Sequence, residues 1–454
     1  MPRIKVSKCA RRRSYAWFAA LFGLLAAPSF AAFPAAHPNS DAPIVPQQMT
    51  LANALDLFRS HGFDLLIADA ETARSRGELV SAAAFPNPQL QGSAGTAFNY
   101  SCASGARGCS TTMINGAMSD QGLIADIFIG KRRLRVAVAQ KALAIAQLNR
   151  SDAERNLTFL VKQQYAQAVM NKEALRAASE AAQMSAETAR LVGVRFQAGA
   201  VSEADVARAD TERLEAQQAV DTAGGALATS KASLAFLIGV RSSSADFELV
   251  DDLRPVPQLP LLTNASIDSL LPIALERRPD LQAAQTEIDR AAAAVDLARR
   301  QRVPDIALFA TYQSQGSGQD SVQPPTLSFG LSLPLPLLYR QQGEIAVAEA
   351  QRQVDLEQHR KTEAQIRADV ATALAAYQSA RRRLERMDST LLGRARRARD
   401  LVEVQYQKGA ASLLELLDAQ RTFVATTNEY HQTLTDYWTS LFLVEAAVGK
   451  DLGA

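Results

Sequence analysis

The 454-residue sequence is poor in residues that break regular structure, with only 23 glycines and 18 prolines beside a 47% hydrophobic content. That scarcity argues against many short strands and turns and implies long elements. The four histidines, His37, His61, His359 and His431, are scattered, without metal-ligand spacing. No nucleophile motif and no phosphate-binding glycine loop is present, so an enzyme and a resident cofactor are not expected. The apolar stretch from Tyr15 to Ala27 has about 13 residues, short of the roughly 20 that cross a bilayer as a helix.

That stretch follows Lys5, Lys8, Arg11, Arg12 and Arg13 and precedes the small-residue site Ser29-Phe30-Ala31. This is the order of a cleaved signal peptide over 1–31, followed by an N-terminal tail over 32–49. Arg12-Arg13 lacks the remainder of a twin-arginine pattern, so ordinary unfolded secretion is expected. The formal net charge is +2, but the leader holds six basic residues and no acidic one, which leaves −4 on the rest. The case for nucleic-acid binding goes with the leader. Cys9 precedes the apolar stretch and is not a lipid-bearing cysteine. Cys102 and Cys109 lie in a Gly/Ser/Ala-rich segment, where an oxidising compartment favours a disulfide-closed loop over two free thiols.

The remainder is one motif written twice, at an offset near 210 to 220 residues. Leu51, Ala54 and Leu55 answer to Leu271, Ala274 and Leu275, and Phe85-Pro86-Asn87-Pro88 to Val303-Pro304-Asp305. Residues 194–202 match 404–412 without a gap. The repeats are placed at 50–241 and 264–449, and the Pro- and Ser-rich stretch 242–263 is read as an external linker. Each repeat is predicted to hold a short or broken helix, two strands, a very long helix, a Gly turn and a returning helix. The long helices are placed at 131–198, 202–237, 343–408 and 411–448. Val161, Ala168, Leu175, Ala182, Ala189 and Phe196 recur every seven residues, as do Leu384, Leu391 and Ala398, which predicts coiled-coil seams. Taken alone, these helices fit a soluble bundle equally well.

The strands favour a membrane wall. Leu327, Phe329, Leu331 and Leu333 alternate with small polar residues over 326–333, and Ile306, Leu308, Ala310 and Tyr312 alternate over 305–313. Leu90, Ala94 and Phe98 repeat the theme over 88–98, while 113–129 alternates less cleanly, with breaks at Asp120 and Gly122. Four strands cannot close a membrane barrel, so oligomerisation is required, a trimer ranking ahead of a dimer.

These features together resemble the TolC family of outer-membrane efflux proteins over essentially the whole mature chain. Leu333-Pro334-Leu335-Pro336-Leu337 followed by Arg340-Gln341-Gln342-Gly343-Glu344-Ile345, with Gly130-Lys131-Arg132-Arg133 in the first repeat, is similar to the cobalt-zinc-cadmium branch. The resemblance implies a mainly α fold with a small β part, four transmembrane strands per chain, and a trimer completing a twelve-strand barrel above a helical-barrel duct. It further implies an outer-membrane location with the helices in the periplasm, a periplasmic adaptor protein and an inner-membrane transporter of the resistance-nodulation-division type. No nucleic acid is involved.

By the same resemblance the Gly199 and Gly409 turns are periplasmic tips. Adaptor docking is expected there through Phe196, Gly199, Ala200, Val201, Tyr406, Gly409, Ala410 and Ala411. Asp205 with Arg208, and Glu415 with Asp418 on one helical face, are candidates for a gate lined by acidic rings, the alternative being a solvated acidic face. Competing functions are a duct for type I protein secretion and a periplasmic coiled-coil scaffold without a pore.

Overall fold

The computed structural model describes residues 44–96, 110–241, 247–252, 254, 262, 265–317 and 325–452. The signal-peptide region, Cys102 and Cys109 lie outside the described residues. In the first repeat, β1 (Gln48–Met49) leads into α1 (Leu51–His61) and α2 (Phe63–Ala83), then β2 (Gln89–Thr96), β3 (Ser110–Ser119) and α3 (Leu123–Phe128). The long α4 (Lys131–Gln197) and α5 (Glu203–Leu237) complete it. After β4 (Glu248–Leu249), the second repeat runs through α6 (Ile267–Arg277), α7 (Pro279–Arg300), β5 (Ala307–Ser317) and β6 (Thr326–Ser332). It ends with α8 (Gln342–Arg386), a π turn (Met387–Leu391), α9 (Leu392–Gln407) and α10 (Leu413–Val448). With 67 residues at ~1.5 Å each, α4 is a rod of about 100 Å. Among the described residues no helix is long and apolar enough to cross a membrane.

Four strands form one antiparallel sheet in the order β2-β3-β5-β6, so the two hairpins pair through β3 and β5. The register aligns Leu90, Met118, Ala310 and Phe329 in one cross-strand row, and Gln91, Ala117, Thr311 and Ser328 in the row on the opposite face. Alternation therefore sorts the sheet into an apolar and a polar face. Among the described residues no part of the chain covers the apolar one: Leu90 is 73% exposed, Phe329 78% and Leu331 65%.

The helices pack around two equivalent cores. In the first repeat Phe58, Leu65, Val161, Tyr165, Val169 and Leu234 are buried together, and in the second Leu270, Ile366, Val370, Tyr377, Tyr437 and Leu441. A buried ion pair ties the repeats: Lys162 Nζ lies 2.7 Å from Glu445 Oε2, linking α4 to α10. Arg278 Nη1 and Nη2, also buried, reach Asp369 at 2.9 Å and Asp280 at 2.7 Å.

Three expectations need correction. The second strand of the first repeat ends at Ser119, not near 129. Gln121 and Gly122 both have positive φ, and Asp120 Oδ1 accepts the Leu308 amide at 2.9 Å, so the chain turns out of the sheet into α3. The external linker is internal where described. Phe247 and Leu249 are buried in the first core because β4 pairs in parallel with β1, and Leu262 enters the second core. The seam Leu384–Leu391–Ala398 does not hold either: Leu384 is buried, whereas Leu391 is 45% exposed and Ala398 is exposed. The π turn inserts one residue into the helical phase, so the half-buried face continues through Leu392, Ala395, Arg399 and Val402 to buried Tyr406.

Candidate functional site: the hairpin tips

Both long hairpins turn in the same way. Gly199 (φ 69°) and Gly409 (φ 76°) are left-handed, the Ala200 amide donates to Arg195 O at 2.9 Å, and the Ala410 amide donates to Gln405 O at 2.8 Å. With the Gly199 amide on Phe196 O (2.8 Å) and the Gly409 amide on Tyr406 O (3.0 Å), each turn is a Schellman motif. A Cβ at either glycine meets nothing within 4 Å. Gly199→Ala and Gly409→Ala should therefore each cost about 1 kcal/mol through backbone strain alone, measurable as lowered thermal stability of the purified protein.

The returning helices begin with paired capping boxes. The Asp205 amide donates to Ser202 Oγ at 3.2 Å while Asp205 Oδ2 accepts the Ser202 amide at 3.1 Å. Glu415 and Ser412 do the same at 3.3 and 2.7 Å. Both carboxyls are held below the usual carboxylate range. At Asp205 the main cause is the hydrogen bond from the Ser202 hydroxyl, and at Glu415 it is the Ser412 amide. Two of the candidate gate carboxylates thus complete helix N-termini, a role already written in Ser202-x-x-Asp205 and Ser412-x-x-Glu415. Arg208 stands 3.9 Å from Asp205 on the same helix. Asp418 is exposed one turn beyond Glu415, so these two do share an outward face.

The two tips of one chain pack on each other through Val192, Ala209, Tyr406, Leu413, Leu416 and Leu417. Arg195, absent from the sequence-based candidates, organises the junction. Its guanidinium lies 4.4 Å above the Tyr406 ring and donates to Tyr406 O at 2.8 Å and Gln407 O at 3.1 Å. It thereby satisfies carbonyls at the C-terminus of α9. Tyr406 is consequently withdrawn from the surface, only 2% exposed, and offers no docking face in this chain. Phe196, Gly199, Ala200, Gly409 and Ala410 are exposed, while Val201 and Ala411 are half-buried on the tip core. Among the described residues no group of three or more His, Cys, Asp or Glu side chains is placed to hold a metal ion.

The family model for "Outer membrane efflux protein" matches residues 54–240 and 270–450. The cobalt-zinc-cadmium resistance protein CzcC of Cupriavidus metallidurans is 23% identical over 93% of this chain and 96% of its own length. The pyoverdine export outer membrane protein OpmQ of Pseudomonas aeruginosa is 29% identical over 80% of this chain and 77% of its own. Crystal structures of CusC match at TM-score 0.70 and 19% identity, covering 91% of this chain and 99% of that one. The outer membrane protein VceC of Vibrio cholerae matches at TM-score 0.66 and 20% identity, covering 88% and 96%. The chain belongs to the outer membrane efflux protein family and serves export at the outer membrane, not enzymatic chemistry.

Proposed function

We propose that this chain is the outer-membrane duct of a three-part efflux pump, conducting substrate passively from the periplasm to the exterior. The observation that carries this is the four-stranded sheet with one uncovered apolar face and one polar face. A wall of that kind has lipid on one side and water on the other, and four strands need further copies to close. Three copies supply twelve strands, and the paired hairpins supply the helical ring beneath. The tips then meet a periplasmic adaptor through the exposed small residues around Gly199 and Gly409, and an inner-membrane transporter of the resistance-nodulation-division type delivers the substrate.

Heavy-metal cations are the proposed substrate, supported by the similarity to CzcC along nearly the full length of both chains. The similarity to a pyoverdine exporter supports a second reading, small organic compounds. The decisive comparison is growth of a deletion strain on cobalt, zinc or cadmium salts against growth on organic toxicants. Selective metal sensitivity, reversed by the intact gene, supports the first reading; selective sensitivity to organics replaces it with the second.

Within the duct, the outward face of Glu415 and Asp418 forms the acidic ring near the tip. Because Glu415 also caps α10, the two residues separate by experiment. Asp418→Asn is expected to reduce cation selectivity in planar-bilayer recordings with thermal stability unchanged. Ser412→Ala is expected to cost about 1 kcal/mol of stability by loss of the cap, with selectivity retained. Unchanged selectivity in Asp418→Asn would leave this face as solvated charge only.

A further inference from the structure

The sequence from 381 to 399 carries eight arginines: Arg381, Arg382, Arg383, Arg386, Arg394, Arg396, Arg397 and Arg399. Several are engaged within the chain. Arg381 pairs with Glu385, Arg383 with Asp436, Arg399 with Asp400, and Arg396 lies 6.0 Å from the Phe423 ring. Arg382, Arg386, Arg394 and Arg397 are exposed, and among the described residues none has a carboxylate partner. Counted with the residue that the π turn inserts, and at ~100° per residue, these four fall within about 80° of one another. They lie opposite the face that α8 and α9 bury against α10. The same outward face carries Leu401 and Val404, 56% and 46% exposed. The π turn is what brings the arginines before and after it onto one side.

Below the two cores α5 packs chiefly on α4, α4 on α10 and α10 on α9, with Arg421 of α10 also reaching Glu212 of α5 and Arg195 of α4 reaching Tyr406 of α9. Among the described residues no ion pair joins α5 to α9, whose far faces are the two outer edges of one chain. On α5, Glu203, Asp210, Leu214 and Asp221 are spaced by seven, four and seven, which places them within about 40° of one another. All four are exposed, and they are turned away from Ala209 and Leu234, which are buried. The edges are opposite in charge and related in spacing: Arg386 and Arg397 are eleven residues apart, as are Asp210 and Asp221. Since α9 runs into its tip and α5 runs out of its own, two such edges meet antiparallel. Arg397 precedes the end of α9 by ten residues and Asp210 follows the start of α5 by seven; for Arg386 and Asp221 the counts are twenty-one and eighteen. One offset of three residues brings both pairs level.

We propose that the arginine stripe of α8 and α9 seats on the acidic edge of α5 of a second copy of this chain, with Arg397 on Asp210 and Arg386 on Asp221. This contact joins different surfaces of the two copies, so repeating it generates a ring. Its charge pattern sets the vertical register of neighbouring copies, the property that charged contacts supply better than raw affinity. The proposal rests on the oligomeric reading above and adds which edges meet, and at what height.

The test is cross-linking of the full-length, detergent-extracted protein in a Cys102→Ser, Cys109→Ser background, with a short bifunctional thiol reagent. Arg397→Cys with Asp210→Cys, and separately Arg386→Cys with Asp221→Cys, should give covalent ladders of two and three copies. The out-of-register pair Arg397→Cys with Asp221→Cys should give almost none. A link formed inside one chain leaves its mass unchanged, so the ladders report contacts between copies. An oligomer intact by mass that does not cross-link at either level pair, or that links equally out of register, overturns the seam and leaves the duct standing. A monomer by mass before any substitution overturns both. As an independent check, Arg386→Glu with Arg397→Glu should dissociate the oligomer at lower detergent and salt, and adding Asp210→Lys with Asp221→Lys should restore it. Failure of that restoration also counts against the seam.

Discussion

Replacing Lys162 by methionine is expected to cost about 3–5 kcal/mol of folding stability, the usual result of leaving one member of a buried ion pair alone. Lys162 and Glu445 are nearly inaccessible, with side-chain exposures of 9% and 7%. Glu445 Oε1 also accepts the Leu452 amide at 3.1 Å, and the Lys162 ammonium lies 5.2 Å from the Phe442 ring. The pair fastens the middle of α4 to the end of α10, so its loss loosens one repeat against the other. Unfolding by denaturant of purified Lys162→Met should show the lowered midpoint. Adding Glu445→Leu should recover most of the loss, because two apolar side chains remove the uncompensated charge. A single substitution costing under about 1 kcal/mol, the range of surface ion pairs, would show that water reaches the pair.

The same substitution has a pH signature. Burial pushes the Glu445 carboxyl above the usual carboxylate range despite the opposing pull of Lys162. A carboxyl whose pKa is raised on folding binds its proton more tightly in the native state. Its contribution to stability is therefore full below the unfolded-state pKa and is lost as pH rises through the native one. Removing the ammonium raises the native pKa further, so the deficit of Lys162→Met should be smallest in acid and widest near neutrality. A deficit independent of pH would place the cost in packing and not in the carboxylate.

Much of the fold was legible because its elements are long or strictly alternating. Proline is absent from Lys131 to Ala198, and the apolar period of Leu327, Phe329 and Leu331 admits only a strand. The missed features are those where the local phase changes without a marker. The π turn at Met387–Leu391 holds neither proline nor glycine, so a seven-residue count carried through it lands on Leu391 and Ala398, one position off the packed face. Gln121 takes a positive φ that its side chain does not announce, which ends β3 early. At the tips a second role went unread. Ser202-x-x-Asp205 and Ser412-x-x-Glu415 are visible capping boxes, but a carboxylate just past a turn also suits a pore, and the hydrogen bonds add the cap to that proposed use. Arg195 on Tyr406, and Lys162 on Glu445, join residues more than two hundred positions apart, beyond the reach of any local pattern.

The apolar face of the sheet makes the other large prediction, which tests the membrane wall directly. Phe329 is 78% exposed and ends the cross-strand row Leu90, Met118, Ala310, Phe329, while its neighbour Ser328 points to the opposite face beside Thr311. If that row contacts hydrocarbon, Phe329→Arg places a guanidinium in lipid at a cost of about 2–4 kcal/mol near the bilayer midplane. The penalty falls once on every copy in the ring, so assembly should suffer more than a single chain does. The expected result is a sharp drop in the fraction of protein recovered as a detergent-resistant oligomer from outer membranes. Ser328→Arg, on the water-facing side one residue away, should assemble normally and alter conductance. The same arginine side chain, introduced at adjacent positions, then lies on opposite faces of the sheet. Equal tolerance of both would mean that the apolar row is covered by protein and not by lipid. Equal loss would point to strand pairing, since a defect shared by both faces reports the backbone that they have in common.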